Sequence, residues 1–178
     1  MYSVEKDRAF LEAGIPELDD YLLSQELYWP LTARGYSLPR LTIGGLLLSL
    51  ARLEAAGERS VALEARLDGV RSRRRVAWET RAGREVRSRC GLWQSYLADY
   101  RHSPEGHADA YPQEVRYRVM LHLLLAELPS QPAEGELLSQ LDGVLRANLT
   151  PGGFVWDSGL QAGFPREAYW YLYGRLKG

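Results

Sequence analysis

A chain of 178 residues with 46% hydrophobic and 25% charged residues has the composition of an ordinary folded globular domain rather than of a disordered or membrane chain, and it needs no staples. Cys90 is the only cysteine, so an intramolecular disulfide and a CxxC metal knuckle are both excluded, and a reducing, cytoplasmic setting is expected. The formal net charge of −1 hides a strong partition. Residues 1–30 carry seven acids against Lys6 and Arg8, residues 61–90 carry nine arginines against four acids, and residues 126–150 carry four acids against Arg146 alone.

In chain order, MYSVEKDRAFLEAG shows no basic segment followed by an apolar core, so no secretory signal is read. Hydrophobic periodicity predicts helices over residues 4–13, 16–27, 39–56, 59–101 (as one piece or two), 112–128, 134–147 and 166–176. Pro16, Pro39 and Pro112 suit first helical positions, Gly14 and Gly57 suit helix ends, and Pro30 and Pro129 block continuation. The most apolar run, LTIGGLLLSLARL, falls short of the ~20 residues of a membrane helix and reads as a buried helix. Between Thr150 and Pro165 the glycine-rich TPGGFVWDSGLQAGFP reads as a small β-ribbon in which 154–156 and 160–164 flank an Asp-Ser-Gly turn. The expected architecture is a single all-α domain over residues 1–178, a bundle of six or seven helices around one long arginine-rich helix. The ribbon or an ordered loop precedes a C-terminal helix.

The long helix carries two stripes. Trp78, Ala82, Val86, Cys90, Trp93, Leu97 and Tyr100 fall along one face, and Leu63, Leu67 and Val70 form a displaced second stripe, with Gly69 a place to bend. Arg66, Arg73, Arg74, Arg81, Arg84 and Arg87 share an arc of about 140° that contains none of the segment's acids. Guanidinium engages carboxylate and phosphate alike, so these six arginines read as a site for an anion or an acidic partner. Acidic segments of the same chain are an internal answer.

Aromatic residues cluster in ELYWPL and EAYWYLYG. Docking of the terminal helices through them is the simpler expectation. Tyr28, Trp29, Trp170, Tyr171 and Tyr173 are the candidate partner contacts, since such rings dominate binding hot spots. Among titratable groups, Asp99 and His102 form a D-x-x-H pair followed by His107 and Asp109, but the second [DE]-x-x-H of a di-iron bundle is missing. Glu114, Arg118 and His122, spaced i, i+4, i+8, suit buried hydrogen bonding. Cys90 lies on the apolar stripe and Ser158 lacks the G-x-S-x-G context of a nucleophile. No catalytic residue, metal ligand or cofactor is assigned.

The reading that follows is a non-enzymatic interaction or assembly module, with a protein partner or self-association, and no membrane. An alternative is a nucleic-acid-binding accessory protein using the same arginines on phosphates, opposed by a sequence pI near 6.3 and by the acidic segments. An enzyme with a site near His102 and His107 is third.

Overall fold

A computed structural model describes residues 3–32 and 37–178. The fold is all-α, with eight α-helices among the described residues and one two-stranded antiparallel sheet near the C-terminus. The first helix, α1 (Val4–Leu23), is capped by Ser3, whose hydroxyl accepts from the Lys6 N–H at 3.2 Å, and carries Glu5 and Asp7 where the helix dipole favours negative charge. It runs through both Gly14 and Pro16, where the sequence suggested two helices. Proline inside a helix costs about 3 kcal/mol. Continuity buries Phe10, Leu11, Ile15, Leu18, Tyr21 and Leu22 together, which outweighs that cost. Gly14 serves close packing rather than termination: a Cβ there would sit 2.9 Å from Leu41 Cδ1.

After α1 the chain extends, and Trp29 exchanges backbone hydrogen bonds with Leu41 at 3.1 and 2.7 Å. That bridge holds residues 39–41 outside the next helix. α2 (Ile43–Ala55) therefore starts four residues after Pro39, just behind the N-cap Thr42, and is closed at Gly57, φ 74°, with Glu58 N–H bonded to Leu53 O and Gly57 N–H to Glu54 O.

α3 (Val61–Arg73) and α4 (Arg75–His102) are separated by a single non-helical residue, Arg74, five positions beyond Gly69. α4 is the central element and packs against α1, α2 and the later helices Arg116–Ala126 and Glu134–Asn148. Its predicted stripe, Trp78 to Tyr100, is buried at every position, as are Leu63, Leu67 and Val70 of α3. The predicted helix at 112–128 is divided into α6 (Tyr111–Glu114) and α7 (Arg116–Ala126), after the short α5 (Pro104–His107); α8 spans Glu134–Asn148.

The C-terminal segment corrects the sequence reading. No helix forms at 166–176; Trp170–Leu172 make one 3-10 turn and Tyr173–Leu176 form β2, antiparallel to β1 (Leu149–Phe154), with a register irregularity between Pro151 and Phe154. Residues 160–164, expected as the second ribbon strand after the Asp-Ser-Gly turn, instead fall mostly in a 3-10 helix, Ser158–Gly163, capped by Asp157. Rings on every side of YWYLY leave an α-helix no polar face, whereas the 3-10 turn and the strand after it bury Tyr171 and Tyr173 and let the Tyr173 hydroxyl donate to Phe164 O at 2.7 Å. Gly174 permits the pairing: a Cβ there would lie 2.5 Å from Thr150 O. No helix among the described residues is long and apolar enough to cross a membrane.

Candidate functional site

The six arginines meet groups of their own chain at five positions. Asp19 of α1 accepts from Arg74 Nε at 2.9 Å and from Arg73 Nη2 at 3.1 Å, and neighbouring arginines hold its carboxyl below the ordinary value. Arg81, only 4% exposed, donates to Ser24 O at 2.6 Å and to Leu22 O at 3.5 Å with its guanidinium 4.6 Å from the Tyr21 ring centroid. Arg84 reaches Gln25 O at 3.2 Å. α1 has no basic residue in its last turn, so these arginines supply the donors and positive charge that a helix C-terminus favours. Arg87 pairs with Glu134 at the start of α8 at 2.9 Å. Arg66 is exposed and forms no ion pair with the described residues.

The inner side of α4 carries charges that helix-wheel reasoning missed. Arg81, Glu85 and Arg89 recur at i, i+4, i+8, and all three are buried, Glu85 completely. Glu85 Oε2 accepts from Gly44 N–H at 3.0 Å in the first turn of α2, and its Oε1 meets Arg89 at 3.0 Å. Arg89 also donates to Thr42 Oγ1 at 3.1 Å, the same oxygen that caps α2 through Gly45 N–H. The even i+4 spacing beside Ala82 and Val86 was the available signal. A second, partly buried pair joins Arg118 to Asp142 through two bonds of 2.8 Å, with Arg118 lying 4.4 Å from the Tyr171 ring centroid. His122 sits against Tyr169, and burial lowers its pKa; Glu114 takes no part in this contact.

The aromatic candidates divide. The Tyr28 hydroxyl lies 2.8 Å from Ser88 Oγ, Trp29 packs edge-on to Tyr21, and Tyr171 and Tyr173 are buried within the C-terminal cluster. Trp170 remains half-exposed. Arg146 of α8 lies 3.7 Å over its ring, and Arg166 lies 4.8 Å over Tyr173 while donating to Gly152 O at 2.8 Å. Together with Leu149 and Pro151 these residues line a cleft of about 280 Å³. Both arginines are exposed and neither forms an ion pair with the described residues.

The other chemistry candidates stay apart. His107 Nδ1 lies 3.0 Å from Ser103 O, and no group of three or more His, Cys, Asp or Glu is gathered to hold a metal among the described residues. Burial pushes the Cys90 thiol up to about 11, the opposite of what a nucleophile needs. No protein-family model, curated protein or solved structure matches the chain.

Proposed function

We propose that this protein is a non-enzymatic interaction module that receives an acidic segment of a protein partner in the cleft between Arg146 and Arg166. The observation that carries the reading is the stacking of Arg146 on Trp170, beside an Arg166 anchored on Tyr173 and Gly152, with no carboxylate of the described residues paired to either. Stacking restrains a guanidinium and leaves its N–H edge free, so part of the ordering entropy is met before a ligand arrives. The helix face is a weaker candidate, because an external anion would have to displace Asp19 from Arg73 and Arg74 and Glu134 from Arg87. That cost weighs equally against phosphate binding at the same face.

Titration of the 15N-labelled protein with acetylated tetraglutamate tests the reading. Saturable shifts confined to Trp170 and its neighbours, weakened about tenfold in Arg146→Ala/Arg166→Ala, are expected. Shifts centred on α4, or tighter capture of single-stranded oligothymidylate than of the peptide, would replace it with the helix-face or nucleic-acid alternative. Concentration-dependent sedimentation abolished by the same double variant would identify the acidic partner as a second copy.

A further inference from the structure

The cleft between Arg146 and Arg166 holds more than two cations. Arg146, Leu149, Pro151, Arg166, Trp170 and Tyr173 line its volume of about 280 Å³. Pro151 and both arginines are exposed and Leu149 and Trp170 half-buried, so the cleft is open to solvent down to the buried Tyr173. No acid is among the lining residues. Asp142, one turn before Arg146 on α8, is held by Arg118, and Glu167, next to Arg166 in sequence, pairs with neither arginine.

Most of the remaining polar groups are already committed. The Tyr173 hydroxyl donates to Phe164 O at 2.7 Å, and Arg166 gives one N–H to Gly152 O at 2.8 Å. Leu149 and Pro151 therefore present hydrocarbon between two guanidiniums. A purely acidic segment would leave that hydrocarbon in water, and its exposed ion pairs would be weakened by solvent and salt. An apolar side chain seated on Leu149 and Pro151 buries the hydrocarbon and displaces water from the guanidiniums, which strengthens the charge pairs beside it. The volume lies just below the usual range of about 300–1,000 Å³ for small-molecule sites, a size that suits one side chain. Tryptophan, tyrosine and arginine around such a pocket are the residue types concentrated in binding hot spots.

We infer that the cleft recognises an apolar side chain of about leucine size flanked by acids, with the side chain on Leu149 and Pro151 and one carboxylate on each arginine. In an extended peptide, residues two apart share a face, so the sequence pattern is acid-x-apolar-x-acid. This recognition rests on the acidic-partner reading and adds to it the requirement for an apolar residue at the centre.

Acetyl-Glu-Glu-Leu-Glu-Glu-amide and acetyl-Glu-Glu-Gly-Glu-Glu-amide carry the same charge and differ in that residue alone. The Trp170 indole N–H of the 15N-labelled protein, assigned with Trp170→Phe, reports the binding of each. The leucine peptide is expected to bind at least about tenfold tighter. Pro151→Ser, at an exposed position, should cut that preference about threefold or more without changing the affinity for the glycine peptide. Arg146→Ala/Arg166→Ala should weaken both peptides. Equal affinity of the two peptides, or a preference untouched by Pro151→Ser, overturns the apolar requirement and leaves the acidic-partner reading standing. No binding of either peptide up to about 10 mM, or undiminished binding of both in the double arginine variant, overturns the two together.

Discussion

The guanidinium of Arg81 reaches from α4 to the carbonyl oxygen of Ser24, 2.6 Å away, and so closes the C-terminus of a helix that has no basic residue of its own in its last turn. Arg81 lies on the basic arc of the helical wheel, yet it is a structural donor. Arg81→Ala removes the bonds to Ser24 and Leu22 and the contact over Tyr21, and a loss of about 2–3 kcal/mol in urea unfolding is expected. Arg66→Ala, on the same arc but exposed and without an ion pair, should stay within about 0.5 kcal/mol of the parent.

Glu85 and Arg89 join α4 to the first turn of α2 inside the core. Glu85→Ala leaves the Arg89 charge and the Gly44 N–H without their acceptor, so a loss of about 3–5 kcal/mol is expected. Adding Arg89→Met to Glu85→Ala should recover part of that loss, since the orphaned charge is gone. Unfolding of the two singles and the double in one cycle checks this: strictly additive losses would show that the pair is not coupled.

Asp7 sets a pH dependence of definite sign. Its folded-state pKa is raised, chiefly by burial, so folding disfavours the ionised form. The favourable contribution is complete below the unfolded value near ~3.9 and is lost as pH rises through the folded value. Asp7→Asn, which keeps an acceptor for Ser49, should therefore be more stable than the parent at pH 7 and lose that advantage towards pH 3. Thermal melts across this interval measure the difference, and a constant offset would contradict it.

Gly174 lies opposite Pro151 in the β1–β2 pair with no room for a side chain. Gly174→Val should open the pair, expose Tyr173 and loosen Arg166 from Gly152, seen as faster amide exchange over residues 149–154 and 173–176. Unchanged exchange there would mean that the pairing does not depend on this close approach.

Local patterns were readable where one helix decides its own burial. The Trp78–Tyr100 stripe and the end of α2 at Gly57 follow from periodicity and a single glycine. Three-dimensional competition hid the rest. Pro16 stays inside α1 because the buried face on either side of it is continuous, and YWYLY ends in a 3-10 turn that leads Tyr173 into β2, whose partner strand lies 19 to 27 residues upstream. Arg146 comes from α8 and Arg166 and Trp170 from the C-terminal segment, and no spacing rule brings them to one cleft. Of the arc of arginines, Arg73 and Arg74 meet Asp19 and Arg87 meets Glu134, on helices far away in the sequence, while Arg81 turns to the buried side.

On the proposed reading, a partner's acidic segment is received by the Arg146–Arg166 cleft rather than by the arginine face of α4. Binding of acetylated tetraglutamate to the parent, to Arg146→Ala/Arg166→Ala and to Arg66→Ala/Arg73→Ala, followed side by side at low and moderate salt, tests it most directly. About tenfold weakening in the first variant with affinity retained in the second is the predicted result. Retained affinity in the first with loss in the second would contradict the account.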